Sequence, residues 1–131
     1  MIFIDANIPM YLVGGEHPNR EAARRALEEA VAVGESLCTD AEVLQEILHR
    51  YTATRRTDSL DPAFDSLLAV VDIVYPIELA DVERARRLLR TTPRLAARDA
   101  LHVAVMQARD VGRILSFDAG FDGIPGIVRV P

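Results

Sequence analysis

Five short apolar runs, separated by longer stretches with helical spacing, restrict this chain to one class of architecture. The runs fall at residues 2–5, 36–38, 73–77, 113–117 and 127–130. Short strands that alternate with helices predict a three-layer α/β/α fold around a mainly parallel sheet. At 131 residues the chain has the length of one domain with a single core. "HPNREAARRALEEAVAVG" predicts a helix with Pro18 near its start and Gly34 as its stop. In "TDAEVLQEILHRYTATRR", Thr39 and Glu42 have capping-box spacing. "DPAFDSLLAVV" predicts a helix capped by Asp61 with Pro62 first. "LADVERARRLLR" predicts another, closed by Pro93. The stretch "TATRRTDSLDP" reads as the loosest part of the chain. "ARDALHVAVMQARDVG" has almost no polar face, so it should be buried centrally and end at Gly112.

Open parallel sheets bind ligands at the carboxyl ends of their strands. Two runs here end on aspartate, "IFID" at Asp5 and "ILSFD" at Asp118. Asp99 stands near the start of the buried helix, where an unpaired carboxylate is costly. A fourth acid must be chosen between Glu42 and Glu46. At about 100° per residue, Val43, Leu44, Ile47, Leu48 and Tyr51 form the apolar stripe of their helix. Glu42 points away from that stripe, whereas Glu46 lies about 60° from Val43 and can look over the sheet rim. Singly, each aspartate reads more readily as a cap or turn residue than as a ligand. Jointly, the acids favour a metal site, because clustered carboxylates repel one another unless hard cations such as Mg²⁺ or Mn²⁺ are shared among them.

Composition removes several competitors. All fifteen basic residues are arginine, so a phosphate-binding loop or receiver-type phosphotransfer site lacks its lysine. The net charge of −5 argues against coating nucleic acid non-specifically, yet allows a local binding patch. Cys38 stands alone, which excludes an internal disulfide and a cysteine-cluster metal site, and it should pack as a small apolar residue. No apolar run approaches the roughly 20 residues of a membrane span, and no secretory signal is present. The expected compartment is the cytoplasm.

In order along the chain, "FIDANIPMYL", "CTDAEVLQEIL", "LAARDALHVAVM" and "ILSFDAGFDGIPGI" resemble the blocks of the PIN-domain family. Within that family the likeness is to the small VapC-type toxins of toxin–antitoxin pairs. The resemblance implies a Mg²⁺- or Mn²⁺-dependent endoribonuclease whose acidic site is Asp5, Glu46, Asp99 and Asp118, with Asp122 as a further acid. It also implies supporting roles for Asn7, two residues past the first acid and able to hydrogen-bond it, and for Ser116, whose hydroxyl can hold a carboxylate or a metal-bound water. Arg98 and His102 flank Asp99 and are candidate substrate contacts, although a histidine on an apolar helix also suits a core. The implied partners are RNA, a small antitoxin and a second copy of the chain. A stand-alone RNA-processing enzyme and a non-catalytic interaction module of the same fold are the alternatives.

Overall fold

The run Ile2–Ile4 forms strand β1, and all three of its side chains are buried. Successive side chains of a strand point to opposite faces, so both faces of the sheet are covered at this point. The computed structural model describes residues 1–130. After β1 come α1 (Asn7–Val13), α2 (Pro18–Ala32), β2 (Leu37–Asp40) and α3 (Ala41–Ala53). The chain continues through α4 (Leu60–Leu68), β3 (Ile73–Tyr75), α5 (Leu79–Thr91), α6 (Ala97–Ala108), β4 (Arg113–Leu115) and β5 (Val128–Val130). The sheet order is β3-β2-β1-β4-β5 and every pairing is parallel. The expected α/β/α architecture is therefore the observed one. β1 sits at the centre, between strands that come both early and late in the sequence. The carboxyl ends of β1, β2 and β4 consequently lie side by side at the middle of one sheet edge.

Helices pack on this sheet through small and branched residues. Ala100, Val103, Ala104, Val105 and Met106 of α6 are buried with Phe3, Ile47 and Ile114 in one continuous core. Cys38 is also buried there, and burial pushes its thiol up to about 12. Arg109, at the end of α6, clamps the buried Asp81 of α5 at 2.8 Å and lies over the Tyr75 ring. This ties α5 and α6 to the edge strand β3.

Several local expectations are corrected. Strand β2 runs two residues further than expected, and Thr39 does not cap α3. Its hydroxyl instead donates to the Ile4 carbonyl at 2.9 Å, which pins β2 to β1. The cap is Asp40, whose Oδ1 accepts from the Val43 amide at 2.9 Å. Glu42, freed of a capping role, pairs with Arg98 at 3.3 Å. Helix α4 begins at Leu60 after Ser59, one residue before the expected cap Asp61. A 3₁₀ turn at Thr57–Ser59 runs directly into it, so the stretch expected to be loose is organised. Helix α6 stops at Ala108, and Asp110 rather than Gly112 takes the left-handed conformation, with φ of 59°.

Candidate active site

Asp5 follows β1 directly and retains only 4 % exposure. A carboxylate this buried must find donors, and it has three. Oδ1 accepts from the Ala6 amide at 2.8 Å. Oδ2 accepts from the Ser116 hydroxyl at 2.6 Å and from the Asn7 amide nitrogen at 3.2 Å. Asn7 also donates to Ser116 at 3.1 Å, while the Asp118 backbone amide donates to the same hydroxyl at 3.0 Å. The ends of β1 and β4 are thus laced together through Ser116. Burial raises the Asp5 pKa, against the opposing influence of His102, Ser116 and the Ala6 amide.

Beneath Asp5 lies His102, on the buried face of α6 and with no exposure at all. Its Nδ1 hydrogen-bonds Asp40 Oδ2 at 2.9 Å, so one carboxylate caps α3 and holds the imidazole. Its Nε2 faces Glu46 at 3.8 Å and Asp5 at 4.0 Å, too far for hydrogen bonds to either. Burial disfavours charge on the ring, but Asp40, Glu46 and Asp5 outweigh it and raise the pKa to about 10. His102 is therefore an imidazolium enclosed by acids at neutral pH. That charge, with lesser help from Arg50 and Arg98, holds Glu46 below its usual range despite partial burial.

Asp99 lies in the first turn of α6, half-buried above this layer. Burial, then the charges of Asp5 and Asp118, push it up to about 7. Asp118 is exposed at the rim, and its Oδ1 accepts from the Gly120 amide at 2.8 Å. The fold thus gathers Asp5, Glu46, Asp99 and Asp118 at one sheet edge. Asp122 is engaged elsewhere, with both oxygens held by Arg129 at 2.8 and 3.0 Å. Arg98 is half-buried and paired with Glu42. Full burial removes His102 from any direct contact with a substrate arriving from solvent, so that expectation is corrected.

The arrangement fits a divalent cation. Oxygens of Asp5 and Glu46 and the His102 Nε2 lie within 4.8 Å of one another, but a protonated ring offers no lone pair, so a cation would fall to the carboxylates above it. Among the described residues, His102 Nε2 is the one buried side-chain nitrogen or oxygen without a hydrogen bond, and it is aimed at the acids. Carboxylate oxygens suit hard cations, and Asp99 is lifted by the very repulsion that a cation would relieve.

Asp40 was missed at the level of sequence, although a signal existed. The rule that strand ends carry ligands applies to β2 as well as to β1 and β4, and Asp40 ends β2. A histidine on an apolar helix also requires a hydrogen-bond partner, and here that partner is the same residue.

Residues 2–127 match the PIN domain. Over 130 residues, 99 % of both chains, the sequence is 57 % identical to ribonuclease VapC13 of Mycobacterium tuberculosis. It is 45 % identical over 118 residues to ribonuclease VapC23 of the same species, covering 90 % of this chain and 93 % of that one. The fold matches the crystal structure of M. tuberculosis VapC20, a sarcin–ricin-loop-cleaving toxin, with a TM-score of 0.74 at 20 % identity over 91 % of each chain. It also matches VapBC2 of Rickettsia felis, solved with a DNA fragment from its promoter. There the TM-score is 0.76 at 16 % identity, covering 99 % of this chain and 98 % of that one.

Proposed function

Because this chain belongs to the PIN-domain family and aligns end to end with VapC ribonucleases, we propose that it is a metal-dependent endoribonuclease, the toxin of a VapBC-type pair. The observation that carries the reading is the convergence of Asp5, Glu46, Asp99 and Asp118 at the carboxyl edge of the central strands, over a buried histidine. When bound there, Mg²⁺ or Mn²⁺ supplies a Lewis acid for activating water and neutralising charge on the phosphodiester.

The protein's own groups do the rest. Ser116 and Asn7 fix the rotamer of Asp5, so its two oxygens are oriented before any ligand arrives. His102, anchored by Asp40, sets the charge beneath Asp5 and Glu46, favouring ionised Glu46 and opposing the rise that burial imposes on Asp5. Asp99 holds a proton near neutrality and gives it up as positive charge enters. Arg98, on the first turn of α6, provides a cationic contact for RNA at the rim. Asp122 shapes that rim through Arg129 and serves as a secondary acid.

The reading extends to partners. A small antitoxin neutralises the toxin, two copies of the chain associate, and the protein acts in the cytoplasm as one ribonuclease unit. Among the described residues no helix is long and apolar enough to cross a membrane.

The test is cleavage of total RNA with Mg²⁺ or Mn²⁺, with EDTA, and with a folded Asp99→Asn variant. Discrete fragments that vanish with EDTA and with the variant are expected. No cleavage by folded, metal-loaded protein would turn the reading toward a non-catalytic interaction module.

A further inference from the structure

Beside the acidic site, α1, the loop after it, the end of α3 and the turn that follows border an open cavity of about 340 Å³. Two of its walls begin at the site itself. Helix α1 carries Asn7, which binds Asp5, and one turn later Tyr11, which lines the cavity. Helix α3 carries Glu46 and one turn later Arg50, which also lines it. Four residues of helix advance about 6 Å, so the cavity lies one short step from the acids along both helices.

Its chemistry suits a nucleotide. Tyr11 and His17 lie against each other with ring centroids 4.8 Å apart and planes tilted by 33°, and Phe117 braces Tyr11 edge-on at 5.4 Å. The rings form a fixed aromatic wall. Arg50 and Arg56 stand at the cavity exposed, and neither has an ion-pair partner among the described residues. Arg20, Arg55, Arg84, Arg87, Arg90 and Arg94 likewise lack an acid partner among the described residues, so what distinguishes Arg50 and Arg56 is their place at the cavity, whose one lining acid is Glu16. Tyr51 is 4 % exposed and lines the same cavity. Its hydroxyl makes no hydrogen bond among the described residues and is not sealed from solvent, so a donor and an acceptor are available to an occupant. In a chain of net charge −5, free arginines beside an aromatic wall answer the problem of holding a polyanion locally.

We propose that this cavity binds one nucleotide of single-stranded RNA next to the scissile phosphate, with its phosphate on Arg50 and Arg56, its base against Tyr11 and His17, and Tyr51 as a hydrogen-bond partner. The assignment deepens the ribonuclease reading and rests on it. Unpaired bases are read by stacking and edge hydrogen bonds, and arginine is the better bidentate phosphate ligand. The cavity therefore contributes to the choice of RNA site as well as to affinity.

The test is photocrosslinking of the full chain to single-stranded RNA containing 4-thiouridine, with the sites mapped by mass spectrometry. In parallel, RNA affinity and Mn²⁺ affinity are measured for Tyr11→Ala, Tyr51→Phe and Arg56→Ala. Crosslinks within residues 11–17 or 51–56 are expected. Tyr11→Ala and Arg56→Ala should each weaken RNA binding about 10-fold, and Arg56→Ala should bind Mn²⁺ as the parent does. Crosslinks elsewhere and unchanged affinities, in a protein that still cleaves total RNA, would overturn the cavity assignment and leave the ribonuclease reading intact. A parent protein that neither cleaves nor crosslinks RNA refutes both. If poly-glutamate blocks the cavity in an Arg56-dependent way while RNA still binds, the occupant is an acidic protein segment and the assignment is wrong.

Discussion

Replacing Asp40 with asparagine tests the buried charge beneath the site. Asparagine caps helices as well as aspartate does, so the bond to the Val43 amide survives, while the oxygen facing His102 Nδ1 becomes an amide NH₂ and both the charge and the acceptor are lost. The imidazole is fully buried, and its pKa stands at about 10 against about 6.5 for a free ring. A folded-state value above the unfolded one means stability that is full below about pH 6.5 and lost as pH rises through about 10. The whole shift corresponds to about 5 kcal/mol. Asp40 is the foremost of the acids that raise it, so its removal should cost about 3 kcal/mol near pH 7, in line with measured broken buried pairs. Against a typical total of about 5–15 kcal/mol this is severe. Urea denaturation followed by circular dichroism should show the midpoint falling by about 1–3 M at pH 7. The gap between parent and variant should narrow as pH approaches 10. Asp40→Ala should lose about 1 kcal/mol more through the missing cap. A gap below about 1 kcal/mol at pH 7, or one that does not shrink on alkalinisation, would refute the charged His102–Asp40 pair.

Two further outcomes are expected. Asp99 must shed a proton held up to about 7 by burial and by Asp5 and Asp118, so Mn²⁺ affinity measured calorimetrically should rise about tenfold per unit below pH 7 and then level off. An affinity that is flat between pH 5.5 and 8 would contradict it. Ser116→Ala removes the 2.6 Å bond to Asp5, worth about 1.5–3 kcal/mol for a charged acceptor. RNA cleavage should fall at least about 10-fold, while Ser116→Thr, which keeps the hydroxyl, should retain most activity. Equal rates for the two variants would exclude the orienting role.

Much of this architecture is written in local patterns. The apolar runs that end at Asp5 and Asp118 mark strands and their ends with no tertiary information. Helical phase alone prefers Glu46 over Glu42, and the two do part company, one facing His102 and the other Arg98. The junction at Thr39 and Asp40 resists the same treatment, because either side chain can cap a helix. What decides is the neighbouring strand: the Ile4 carbonyl takes the Thr39 hydroxyl, and the pairing of Asp40 with Tyr75 keeps both residues in the sheet. The start of α4 depends similarly on the 3₁₀ turn before it, which no capping pattern announces. The cavity was illegible for a different reason. Its walls come from segments that are close in space but separated along the chain, and periodicity within one helix carries no word of another.

The bond from Ser116 to Asp5 joins residues 111 positions apart. Parallel pairing of β1 with β4 therefore closes a very long loop, a step that topology makes slow. On the ribosome, β1 and β2 with Asp5, Asp40 and Glu46 emerge well before α6 and β4 deliver His102, Asp99 and Asp118. A nascent chain thus carries half of an acidic site and none of its internal counter-charge. A chain built this way has no complete acidic site until translation has passed β4.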